Sequence, residues 1–143
     1  FGGFRNAPVA IGGTSYTPPN PLDLNSCWDE LIARCQELED NPLEQSLLLY
    51  AEMARNQFFG DSNKRTALLM MNGNLIQNGL CPITITKSRE VEYRTALIEY
   101  YESPEQHRSQ FFDFLKQEQQ TMLKRWGYEI QDVSKSAPVI TVK

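Results

Sequence analysis

Between positions 57 and 67 the chain reads Gln57-Phe58-Phe59-Gly60-Asp61-Ser62-Asn63-Lys64-Arg65-Thr66-Ala67. Its middle, Asp61 to Arg65, holds an acid, a hydroxyl, an amide and two cations in succession. From Thr66 onward the sequence suits a helix, with Leu68, Leu69, Leu75 and Ile76 spaced to make one apolar face. Asp61, Ser62 and Asn63 then stand just ahead of a helix start, where such side chains commonly cap. A helix N-terminus offers unpaired backbone N–H groups and the positive end of the macrodipole. That arrangement cradles a phosphate, and Lys64 and Arg65 add positive charge beside it. A carboxylate at an anion site calls for a bridging cation, and Mg²⁺ suits a site built from one carboxylate and phosphate oxygens. A capped helix with two solvated cations would account for the same residues without any ligand.

The elements that must position this stretch follow from periodicity and punctuation. Residues 7–17 read as a β-hairpin: Val9, Ile11, Ser15 and Tyr16 flank Gly12-Gly13, a dipeptide suited to a two-residue turn, and Pro18-Pro19 closes the second strand. Leu22 to Leu38 reads as a helix through Trp28, Leu31, Ile32, Cys35 and Leu38. Asn41-Pro42-Leu43-Glu44 is a helix start, with Asn as N-cap, Pro at the first position and Glu at the third. This second helix carries Leu43, Leu47, Leu48, Ala51 and Ala54 toward Gln57. The helix after the Asp61–Arg65 turn runs to about Gln77 and ends at Asn78-Gly79. Cys81 to Thr86 alternates as a short strand or extended segment. Ser88 heads a helix with Val91, Ala96, Leu97, Ile98 and Tyr101, and Ser103-Pro104-Glu105 heads a last one bearing Phe111, Phe112, Phe114 and Leu115. Gly127 punctuates its end, and residues 128–143 form a tail.

The 57–67 stretch resembles the signature of the Fic/Doc family, roughly His-x-Phe-x-(Asp/Glu)-(Gly/Ala)-Asn-(Gly/Lys)-Arg. Phe59, Asp61, Asn63, Lys64 and Arg65 agree with it in register; Gln57 stands at the histidine position and Ser62 at the small residue. Phe4 to Pro19 is similar to the family's flap hairpin, and the resemblance covers nearly all of residues 1–122. It implies a mainly α fold, a Fic-type helical bundle with a small β-hairpin flap, over residues 1–127, as a fragment lacking part of the domain's N-terminus would show. It also implies ATP and Mg²⁺ as cofactors, and transfer of AMP to a hydroxyl of a target protein docked on the flap through Ile11, Gly12, Gly13 and Tyr16. By the same resemblance Asp61 would hold Mg²⁺. Asn63 and the amides around Ser62 to Lys64 would hold phosphate oxygens, Arg65 would grip the outer phosphates, and Phe59 would anchor the loop in the core.

Two departures keep other functions open. A histidine deprotonates the target hydroxyl in the family, and glutamine neither accepts nor gives a proton near pH 7. Many AMP-transferring members carry a second arginine where this chain has Leu68. Together with Lys64 this resembles the Doc branch, which transfers phosphate. A Doc-like kinase toxin and a catalytically inactive interaction module are therefore the alternatives. The family's inhibitory (Ser/Thr)-x-x-x-Glu-(Gly/Asn) segment does not occur, which leaves room for a separate inhibitory partner. The single histidine, His107, is expected to be a bystander.

Composition sets the remaining limits. With 143 residues, 41% hydrophobic and 22% charged, the chain has the length and apolar content of one globular domain. A net charge of −4 argues against a general nucleic-acid partner. No apolar run approaches the ~20 residues that span a bilayer, so no membrane role is expected. Cys27, Cys35 and Cys81 lack metal-ligand spacing and read as core residues of a protein in a reducing, cytoplasmic setting.

Overall fold

The computed structural model describes residues 2–127, so the tail at 128–143 lies outside the described residues. Five helices follow one another: α1 (Leu24–Glu37), α2 (Pro42–Asn56), α3 (Asn63–Gln77), α4 (Glu90–Glu102) and α5 (Pro104–Arg125). Single 3₁₀ turns at Pro21–Asp23 and Lys87–Arg89 lead into α1 and α4. None of the described helices is long and apolar enough to cross a membrane.

Helix α2 is the axis of the fold. Leu47, Leu48, Tyr50, Ala51, Met53 and Ala54 are all buried, on every side of the helix. A helix apolar all round must be enclosed, and α2 is packed by α1, α3, α4 and α5. It starts where the sequence predicts. Asn41 Oδ1 accepts from the Glu44 amide at 3.3 Å, and Pro42 takes the first helical position, where its missing N–H costs nothing. Asn41→Ala is expected to lower stability by about 1 kcal/mol, read as a shifted denaturant midpoint; an unchanged midpoint would show that the cap contributes nothing. The predicted α5 row of Phe111, Phe112, Phe114 and Leu115 is buried throughout.

Several expectations are corrected. Leu69 and Ile76 are not on the core face of α3: they are 73% and 60% exposed. The helix starts at Asn63 rather than Thr66, and its inner row is Ala67, Met71 and Leu75. Val91 likewise faces solvent, while Ala96, Leu97 and Tyr101 of α4 are buried. Of the cysteines, Cys35 and Cys81 are buried but Cys27 is only half-buried, and all three are free thiols.

A further correction concerns the hairpin, because no strand occurs among the described residues. The Gly12-Gly13 turn forms, with Gly13 at φ +84°, a conformation open to glycine. The arms on either side do not pair. Pro8, Pro18 and Pro19 have no N–H to contribute to a ladder, and a lone two-stranded ribbon is marginal in water. The outgoing arm bonds to helices instead. Thr14 Oγ1 donates to Glu102 at 2.8 Å, and the Tyr16 hydroxyl donates to Arg55 O at 3.1 Å. The Arg55 guanidinium also lies 4.3 Å above the Tyr16 ring. The Cys81–Thr86 segment likewise forms no strand among the described residues. Its backbone bonds go to the side chains of Asn72, Glu118 and Gln119.

Candidate active site

The turn between α2 and α3 is held in an uncommon backbone conformation. Gln57, which ends α2, has φ +52°, and Ser62, which precedes α3, has φ +61°. Non-glycine residues adopt this left-handed region rarely, and surrounding contacts must hold them there. Asn63 supplies several of those contacts. Its Oδ1 accepts from the Phe59 amide at 2.8 Å, and its Nδ2 donates to Phe59 O at 2.8 Å and to Gln57 Oε1 at 3.1 Å. Asn63 is 7% exposed, so its amide is an internal brace of the turn, and both ends of that amide are already engaged. Gln57 Nε2 donates to Ala54 O at 2.6 Å, which folds its carboxamide back over the end of α2.

The outer side of the turn carries the charge. Asp61, Lys64 and Arg65 are exposed. Asp61 Oδ1 accepts from the Ser62 amide at 2.7 Å, and an Arg65 NH₂ donates to Ser62 Oγ at 2.6 Å. Ser62 therefore does not cap α3 with its side chain. The first-turn amides of Asn63, Lys64 and Arg65 have no intrahelical acceptor. These residues line a cleft of about 460 Å³ formed by Gln57, Gly60 to Arg65, and Val9 and Ala10 from the opposite segment. A pocket of that volume accommodates a nucleotide-sized ligand.

All six predicted turn residues, Gln57, Asp61, Ser62, Asn63, Lys64 and Arg65, meet at this cleft. The four predicted flap residues do not line it. Tyr16 sits under Arg55, and a Cβ on Gly13 would lie 3.6 Å from Ile98 of α4. Val9 and Ala10 face the cleft in their place, and no backbone hydrogen bond is made by Val9, Ala10 or Ile11 among the described residues. Burial pushes the Tyr16 hydroxyl above its usual pKa, so it stays protonated and donating. Phe58, fully buried, anchors the turn more deeply than half-buried Phe59. His107 lies on α5 with Nδ1 3.9 Å from Glu99, away from the cleft residues.

A larger cleft of about 610 Å³ is lined by α1, α2 and the α4–α5 junction. It sets Arg34, Arg55 and Arg108 among four carboxylates, Glu30, Glu52, Glu102 and Glu105, so its cations are outnumbered and no net positive charge is left for an anion. The α2–α3 cleft instead gathers two exposed cations and a helix N-terminus with one carboxylate, which is the arrangement that favours a phosphate.

The sequence pattern of the Fic/DOC family matches residues 1–75, more than half of the chain. The chain belongs to the Fic/DOC family. It is 26% identical over 118 residues to the protein adenylyltransferase Fic of Aedes aegypti, covering 80% of this chain and 20% of the relative. The Culex quinquefasciatus and Drosophila grimshawi proteins of the same name are 27% and 29% identical over the same spans. The chain thus spans about a fifth of the length of these curated relatives. Its fold is similar to a Fic domain containing signaling protein from Bacteroides thetaiotaomicron, with a TM-score of 0.72 and 20% identity over 91% of this chain and 58% of that one.

Proposed function

We propose that this Fic domain binds a nucleoside triphosphate with Mg²⁺ in the α2–α3 cleft and transfers AMP to a hydroxyl of a target protein, at a rate limited by Gln57. The observation that carries this reading is the cleft itself, which sets Asp61, Lys64, Arg65 and the α3 N-terminus across from Val9 and Ala10, whose backbone makes no hydrogen bond among the described residues. Unpaired extended backbone takes up a target segment by strand addition, which uses main-chain bonds and tolerates varied side chains. The donor set fits Mg²⁺. No trio of metal-ligating side chains occurs among the described residues, and Mg²⁺ is commonly held by one carboxylate completed by substrate phosphates and water. Asp61 would supply that carboxylate. When bound, the ion would neutralise phosphate charge as the hydroxyl oxygen attacks the α-phosphorus and pyrophosphate leaves.

Arg65 and Lys64 would hold the outer phosphates, Arg65 by giving up its bond to Ser62 Oγ for a charge-assisted one. The amides opening α3 would take the oxygens that the resemblance gave to Asn63, whose side chain braces the turn. Calorimetric titration of Mg-ATP tests this directly. Saturable binding is expected, and Arg65→Ala is expected to weaken it at least about tenfold, a loss typical of one charge-assisted bidentate contact. No heat from millimolar Mg-ATP would sink the nucleotide reading.

A second reading, a non-catalytic docking module, is favoured by one observation: each end of the Gln57 carboxamide is already bonded to a protein group, which holds it folded back over the end of α2 and leaves it only one N–H and one lone pair for a substrate hydroxyl. Phosphate transfer, the third reading, draws on Lys64 and on Leu68, which is half-buried against the core. It would release ADP where AMP transfer releases pyrophosphate. A target protein on the Val9–Ala10 segment and a separate inhibitory partner complete the proposal.

A further inference from the structure

Arg5 is 8% exposed, and it is the one arginine among the buried polar and charged residues described. Every hydrogen bond that its guanidinium makes goes to a backbone carbonyl. Nη1 donates to Ala7 O at 3.1 Å, Nη2 to Pro19 O at 2.6 Å and to Asn56 O at 3.4 Å, and Nε donates to Gln57 O. The Arg5 amide adds a bond to Phe58 O at 2.8 Å. One residue therefore holds three successive carbonyls at the end of α2, at Asn56, Gln57 and Phe58. It also holds the carbonyls where the 7–19 loop leaves and returns. Burial draws the Arg5 pKa below its ordinary value, yet an arginine remains charged. A cation at the C-terminal end of α2 is also favoured by the helix dipole.

We propose that Arg5 is the positioning residue of the cleft: it closes the 7–19 loop at both ends and fixes the left-handed Gln57, so it sets the gap between Val9–Ala10 and the α2–α3 turn. The inference deepens the nucleotide-transfer reading and rests on it only for what the gap admits. The planar fork is essential. It reaches acceptors on three separate segments at once, whereas a lysine presents a single point of charge. The loop's side-chain hydrogen bonds to the helices, Thr14 to Glu102 and Tyr16 to Arg55, lie on its outgoing arm, and Ile11 packs against the core at its tip. Loss of Arg5 would therefore release mainly Val9 and Ala10, between Ile11 and the freed Ala7 carbonyl.

The experiment compares the wild-type chain with Arg5→Lys and Arg5→Ala by limited thermolysin digestion, with amide exchange followed in α4 and α5. Cleavage within residues 8–16 is expected to be about tenfold faster in both variants, with α4 and α5 as protected as in the wild type, since native-state cleavage tracks local opening. Ethylguanidinium is expected to restore protection to Arg5→Ala, and ethylammonium at equal ionic strength is not. Unchanged cleavage, or cleavage that rises together with exchange in α4 and α5, would overturn the proposal. Equal rescue by both cations would overturn the requirement for the fork. The digestion needs no ligand, so a wild-type chain that binds no Mg-ATP would remove the nucleotide reading and leave the Arg5 result standing.

Discussion

Gln57→His is expected to raise AMP transfer by about 10²–10⁴-fold, the range that a positioned general base contributes. The local geometry explains why a single substitution should suffice. Position 57 is left-handed, at φ +52°, and histidine is among the residues that tolerate this region. The carboxamide at 57 already donates to Ala54 O at 2.6 Å. An imidazole could keep that bond through Nδ1–H, which would leave Nε2 unprotonated and facing the cleft. The hydroxyl proton would then pass to Nε2 as oxygen attacks the α-phosphorus. The check is transfer of label from α-labelled ATP to protein, beside γ-labelled ATP in parallel. A gain in α-label alone supports the AMP-transfer reading, and a gain in γ-label alone supports phosphate transfer. If neither label moves while Mg-ATP still binds, the missing base is not what limits this chain, and the docking module becomes the better description.

What the sequence made legible, and what it did not, divides along a physical line. Helix α2 was readable from Asn41-Pro42 to its end because capping and apolar content are local properties. The α5 aromatic row was readable for the same reason, since each of its residues is buried by the helix's own period. The turn residues line one cleft because they are adjacent in the chain. Three features were misread, the first two because they depended on contacts distant in sequence. The exposed side of α3 was taken for its core face, because Leu69 and Ile76 look the same in sequence as Met71 and Leu75. The 7–17 segment alternates as a strand does, yet its Thr14 and Tyr16 side chains dock it on Glu102 and Arg55, 88 and 39 residues further on, in place of a paired arm. Asn63, given to a phosphate by resemblance, is bonded within its own turn. Arg5 lies within the stretch similar to the flap, but nothing in the sequence marks its side chain, and only the fold brings Ala7, Pro19, Asn56 and Gln57 around it.

The same contrast between adjacent and distant contacts sets the largest stability effect, at Phe58. Phe58→Ala is expected to lower stability by about 3–5 kcal/mol, the usual cost of deleting a fully buried aromatic ring. The ring is inaccessible to solvent. Its centroid lies 5.0 Å from that of Phe4 and 5.3 Å from that of Trp28, the latter nearly perpendicular at 89°. These separations are favourable for aromatic pairs, and the pairing adds to simple burial. The three rings come from the chain next to Arg5, from α1 and from the turn. Removing the middle one would therefore leave a cavity under the segment that the Arg5 carbonyl bonds hold in place. Phe59→Ala is the informative companion. Phe59 is half-buried and meets Phe4 edge-on at 6.0 Å, so its truncation removes less contact and is expected to cost about 1 kcal/mol. Urea denaturation of the two variants separates the roles. A midpoint lowered strongly by Phe58→Ala and only slightly by Phe59→Ala means that the ring beside Gln57 anchors the turn. Equal losses would mean that the two phenylalanines share the anchor, and a larger loss at Phe59 would return that role to the residue the family signature names.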